Sequence, residues 1–224
     1  MIPLRDDNPT STFPYVTITL IVLNIVVFFY ELSLGPHFQL FLEVYGATPF
    51  FVLNMTAPAG YPPPYMTIFT SMFLHAGFFH VAGNMLYLWI FGNNIEDSMG
   101  HIRFIIFYLI SGIVAVYIFA LVNPVSTIPM VGASGAVSGV LGAYLVLFPR
   151  AKVLTLVPFG FYMQVIKVPA VFVLGFWIVV QIINGMVSRG RGSGVAWFAH
   201  IGGFLAGIVL IGLFKKKGHG SWGT

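Results

Sequence analysis

Apolar residues fill this chain in long blocks separated by short polar interruptions, and the lengths of those blocks predict its elements. Five blocks, Tyr15–Leu34, Phe78–Ile95, Ile102–Val122, Val168–Val187 and Trp197–Phe214, approach the roughly 20 residues that a helix needs to cross a bilayer. A sixth, Ser134–Leu147, lies fourth in order and stops at Phe148-Pro149-Arg150-Ala151-Lys152, so it is predicted to start inside the membrane. Irregular backbone at that depth must be satisfied by protein or water, so the loop Asn123–Ala133 is expected to line a wet cavity onto which Ser134 opens. Pro158 and Gly160 make Val153–Lys167 a turn or re-entrant piece. The long segment Gly35–Tyr65, with aromatic stretches Phe38–Tyr45 and Phe50–Leu53, reads as an amphipathic element at the interface. Met1–Pro14 reads as a short polar tail without a soluble domain, and the block after it lacks a small-residue cleavage site. The expected fold class is all-α: a polytopic six-transmembrane-helix bundle spanning 15–214, with an N-terminal tail 1–14 and a basic C-terminal tail 215–224.

Composition agrees with a membrane protein, since 58% of the residues are hydrophobic and 7% charged, against about 25% charged in soluble domains. The net charge of +4 serves as an orientation signal. With both termini in the cytoplasm, Arg5, Arg103, Arg150, Lys152, Lys167 and Lys215–Lys217 lie inside and only Arg189 and Arg191 outside, eight against two. The ten cations are scattered between spans with one short cluster, so nucleic acid is not an expected partner. Zero cysteines exclude thiolate metal sites and cysteine nucleophiles. No repeat of fixed period is visible, which gives no support to an inverted-repeat transporter.

The chemistry concentrates at Gly132-Ala133-Ser134-Gly135, where glycines let a substrate or a second backbone approach Ser134. Gly132, Ser134, Gly135, Ser138 and Gly139 also fit a plain helix-packing stripe, and on these residues alone that alternative stays open. Ser134 lies 16 residues before Arg150 and His200 lies 15 before Lys215, so both sit about 23 Å from the cytoplasmic end. Gly135 and Gly139 on one span, and Gly203 and Gly207 on the other, permit the close contact that would bring His200 to Ser134. On the second span His80 and Asn84 share a helix face and aim two donors at one point, as an oxyanion requires. His75 lies outside that span and is given no role. Zinc held by His75, His80 and His200 is the rival chemistry. After Asp97 the chain has no acid to activate a metal-bound water, and no metal is expected. A third member for a Ser-His-Asp type of triad would have to be Glu31 or Glu43, so a Ser–His dyad is preferred.

These residues resemble the motifs of the rhomboid intramembrane serine proteases, in particular compact prokaryotic six-span members. Gly132-Ala133-Ser134-Gly135 resembles the family's Gly-x-Ser-Gly motif, His75-x4-His80-x3-Asn84 its second-span motif, and Ala199-His200-x-Gly202-Gly203-x3-Gly207 its sixth-span motif. The resemblance implies that Ser134 and His200 form the dyad, that His80, Asn84 and the Ser134 backbone support the oxyanion, and that Gly132 helps bind substrate. It further implies no cofactor, transmembrane proteins and the lipid bilayer as partners, a multi-pass place in the cell membrane, and substrate entry beside Trp177 and the loop Ser188–Ala196. Two departures stand out: Ser138 replaces a Tyr that in some members packs on the histidine, and Met66-Thr67 falls near the place of a Trp-Arg pair. The non-enzymatic alternative is a rhomboid-like binder of transmembrane clients.

Overall fold

The computed structural model describes residues 1–160, 162–188 and 195–216. Each apolar block is a helix. α1 covers Tyr15–Ser33, α5 Phe78–Met99, α6 His101–Val122, α7 Ser134–Leu147, α8 Ala170–Val187 and α9 Trp197–Phe214. The segment after α1 forms three shorter helices, α2 (Phe38–Tyr45), α3 (Pro49–Asn54) and α4 (Pro64–Thr70), with single 3-10 turns at Gly35–His37 and Ser71–Phe73. Arg189, Arg191, most of the loop Ser188–Ala196, and the tail beyond Lys216 lie outside the described residues.

Four of these helices, α1, α6, α8 and α9, are long and apolar enough to cross a membrane, and α4 with its following turn, bent 82° against α5, gives a fifth if the two are one span. α5 carries His80, Asn84, Asn93 and Asn94, and α7 has only 14 residues, so a count of six spans rests on more than length and composition.

The expectation of an all-α fold needs correction. A three-stranded antiparallel sheet, β1-β2-β3, joins Ile2–Asp6, Lys152–Phe159 and Tyr162–Pro169. Val153–Lys167 is thus neither a simple turn nor a re-entrant piece, and most of it is paired: β2 and β3 run in unbroken register from Lys152 opposite Pro169 to Phe159 opposite Tyr162. β-branched residues at Val153, Thr155, Val157, Val165, Ile166 and Val168 suit a pleated ribbon, and Val153 and Thr155 alternate inward to full burial. The polar start of the chain supplies the third strand, with Ile2 opposite Leu156 and Asp6 opposite Val153.

Side chains of the same end tie this sheet to the bundle. Asp6 accepts from the Tyr144 hydroxyl of α7 and from the Asn94 amide of α5, both at 2.7 Å. Burial pushes the Asp6 carboxyl above the usual carboxylate range, against the downward pull of the Tyr144 hydroxyl. Glu96, fully buried, accepts from the backbone N–H of Val16 at 2.9 Å and of Thr17 at 2.7 Å, and so satisfies donors that the first turn of α1 leaves without helical partners. Asp97 accepts from Ser11 and Thr12, which orders the approach to α1.

α7 occupies the centre. Every residue from Gly135 to Tyr144 is buried, the signature of a helix with protein on all sides. It packs closest on α9, backbone against backbone: a Cβ on Gly203 would overlap the Gly135 carbonyl, one on Gly207 the Gly139 carbonyl, and one on Gly142 the Phe204 carbonyl. On its other flank a Cβ on Gly135 would stand 2.6 Å from the Ala115 Cβ of α6. The glycine stripes therefore do bring the Ser134 helix and the His200 helix into contact.

Candidate active site

Ser134 is the first residue of α7, and the segment before it is fixed rather than adrift. Ala47 and Met130 exchange backbone hydrogen bonds at 2.9 and 3.0 Å, Phe50 N–H donates to Ser126 O, and Gly132 N–H donates to Ser71 O at 2.8 Å. Gly132 has φ +127, and a Cβ there would lie 2.6 Å from His80 Nε2, so both the backbone conformation and the space require glycine. The same Cβ position is 3.5 Å from Ser134 Oγ, so His80 and the hydroxyl both border the space that the missing Gly132 side chain leaves open. The Ser134 N–H belongs to the first turn of α7, where helical partners are lacking and the dipole favours negative charge.

His200, in the first turn of α9, places Nε2 2.8 Å from Ser134 Oγ. Its Nδ1 lies 2.7 Å from Gln181 Oε1 of α8. Ser134 and His200 are each half-buried, whereas Gln181 is buried. The slot that Glu31 or Glu43 would fill in a triad is thus taken by an amide. Glu31 instead accepts from the backbone N–H of His75 at 3.2 Å, and Glu43 belongs to α2. With its two ring nitrogens facing Ser134 and Gln181, His200 has the geometry in which an imidazole can accept a proton from a hydroxyl.

Ser138 does not pack on the imidazole; its hydroxyl donates back to Ser134 O at 2.6 Å. Two tryptophans flank the ring instead: Trp177 from α8, with ring centroids 6.0 Å apart and planes at 34°, and Trp197, edge-on at 6.2 Å.

Asn84, buried on α5, has its amide nitrogen 2.9 Å from His75 Nε2. His75 is fully buried, and its ring meets that of His80 edge-on at 5.1 Å. The fold therefore joins Ser134 to His200 directly and sets His80 and Gly132 beside them, while Asn84 reaches the group with one amide hydrogen directed to His75. Two side chains to which sequence spacing gives no role make contacts here, His75 and Gln181. His75 sits in the break before α5, where depth arguments have no purchase, although it heads the His-x4-His-x3-Asn spacing. Gln181 is the i+4 neighbour of Trp177, and a polar side chain within a span is itself a functional signal. An amide is not among the acids from which the third member of a triad is ordinarily drawn.

Comparison with known proteins supplies independent information. The model of the Rhomboid domain matches residues 62–217. The chain is 31% identical to the Rhomboid protease GluP of Bacillus subtilis over 217 residues, 94% of this chain and 38% of that protein. It is 33% identical to Rhomboid protein 1, mitochondrial, of Saccharomyces cerevisiae over 162 residues, 68% of this chain and 42% of that protein. It is also 36% identical to RHOMBOID-like protein 1 of Arabidopsis thaliana over 143 residues, 64% of this chain and 33% of that protein. The chain thus spans less than half the length of each of these relatives.

Proposed function

This chain belongs to the rhomboid family, and on that premise we propose that it is a membrane-embedded serine endopeptidase that cleaves transmembrane segments of other proteins near the outer face. The observation that carries this reading is the 2.8 Å approach of His200 Nε2 to Ser134 Oγ at the head of a buried helix. In the proposed reaction His200 takes the Ser134 proton as the oxygen attacks the scissile carbonyl. The tetrahedral oxyanion is met by the Ser134 N–H, by His80 and by the second amide hydrogen of Asn84. His200 then protonates the leaving amine, and a water, deprotonated by the same imidazole, releases the acyl group from Ser134. The residues that hold and move protons are all supplied by the chain, so the proposal needs no cofactor and no metal. Six spans, with both termini in the cytoplasm of a cell membrane, complete the picture.

The test is covalent. A fluorophosphonate should label the detergent-solubilised protein, and Ser134→Ala should not be labelled; a well-folded wild-type protein that stays unlabelled would favour a non-catalytic binder of transmembrane clients. Topology is tested separately with single cysteines, the chain having none of its own. Thr56 lies in the exposed stretch between α3 and α4, and Gln164 is exposed on β3. A membrane-impermeant maleimide applied to intact cells should label Thr56→Cys and spare Gln164→Cys, and the reverse pattern would invert the proposed orientation.

A further inference from the structure

We propose that Gln181 is the positioning residue of the dyad, a neutral third member on α8 that selects the imidazole tautomer able to accept the Ser134 proton. The proposal rests on the serine-protease reading above and goes beyond it by naming what holds the base.

Its argument is one of donors and acceptors. A neutral imidazole carries one N–H and one lone pair, and which nitrogen holds which is set by the partner of the other. Gln181 Oε1 offers lone pairs only, and it stands 2.7 Å from His200 Nδ1. Its amide nitrogen faces the Trp177 carbonyl one turn earlier, at 3.4 Å, which fixes the direction of the side-chain amide. Nδ1 is therefore the protonated nitrogen, and the Nε2 lone pair points to Ser134 Oγ at 2.8 Å. Without Gln181 the ring is free to adopt the opposite tautomer, which presents an N–H to the hydroxyl and cannot act as its base. Trp177, four residues earlier and on the same face of α8, packs against the ring and limits its rotation.

An amide suits the surroundings better than a carboxylate would. Gln181 is buried in a span, where an ionised acid carries a large desolvation cost. The amide selects the tautomer without bringing a charge. In exchange it gives the imidazolium formed during acyl transfer less support than an anion would.

Two substitutions separate positioning from packing. Gln181→Met keeps an unbranched side chain of similar size and removes the strong acceptor, whereas Gln181→Glu keeps the acceptor and adds charge. In full-length protein, Gln181→Met should lower the rate of fluorophosphonate labelling and the kcat for a transmembrane substrate about tenfold with KM little changed, the worth of one orienting hydrogen bond. Gln181→Glu should recover most of that rate at pH 8 and move the acid limb of the pH profile upward by about one unit, because an anion beside the imidazole favours its protonated form and the base must be neutral to act. Nitrogen-15 spectra of labelled histidine should report protonation at Nδ1 of His200 in the wild type and a mixture of tautomers in Gln181→Met. If the wild type labels and Gln181→Met labels equally fast with unchanged nitrogen shifts, Gln181 is a packing residue and the proposal is overturned. If the wild type does not label at all, the protease reading fails, and the nitrogen shifts still decide the role of Gln181. Should Gln181→Met prove less stable than wild type, the pH shift of Gln181→Glu carries the decision, and its absence overturns the proposal.

Discussion

Ser134→Ala and His200→Ala are each expected to abolish cleavage of a transmembrane substrate, and the double variant to be no worse than either single one. Residues that act as a unit are non-additive; losing a nucleophile or its base costs on the order of 10⁶-fold in kcat, and losing the second removes nothing further. The two atoms involved are in hydrogen-bond contact, the geometry that the proposed unit requires. Removing a donor to the oxyanion is a smaller loss. His80→Ala and Asn84→Ala are expected to cost about 10²- to 10³-fold each and to leave measurable turnover. Near-normal activity of His200→Ala would end the serine-protease reading of this chain.

The second large effect is on folding. Gly203→Ala places a methyl group on the Gly135 carbonyl, at a contact of two backbones in which neither partner has a flexible end to swing aside. Overpacking of that kind costs about 1–3 kcal/mol, which for a chain of this size is a drop of several degrees in Tm, at about 2–4 °C per kcal/mol. Gly175→Ala on α8 is the matched control, since nothing lies within 4 Å of its Cβ position. Relief of the helix penalty of glycine should leave that variant as stable as wild type or more so. Thermal unfolding in detergent checks both. Equal melting of Gly203→Ala and wild type would mean that α7 and α9 do not touch along their glycines.

The membrane helices were legible because burial in lipid writes itself as an apolar block: the limits read for Ser134–Leu147 and Trp197–Phe214 coincide with α7 and α9. The sheet was not. β1 has five residues, includes a proline, and gains its identity from a partner more than 140 positions away, so no local pattern announces it. In β2 and β3 the β-branched residues were present, but Pro158 and Gly160 drew the reading to a turn. Within the site, equal depth and glycine stripes pointed toward a meeting of Ser134 and His200, because both are properties of helices taken one at a time. Gln181 and His75 enter through contacts between elements, and only the assembled bundle places His75 Nε2 beside Asn84 or Gln181 Oε1 beside His200.

The register of the sheet also dictates an order of events during synthesis. Asp6 pairs opposite Val153 and Ile2 opposite Leu156, so β1 leaves the ribosome roughly 150 residues ahead of its partner, which at about 5–20 residues per second is a wait of roughly 8–30 s. Throughout that interval the backbone donors of β1 are without their strand partner. The Tyr144 hydroxyl, which gives Asp6 one of its hydrogen bonds, is translated only shortly before β2. The helix that begins with Ser134 can therefore be clasped from its far end only once the three apolar blocks before it and then β2 have been made, while α8 and α9, the latter carrying His200, are translated later still.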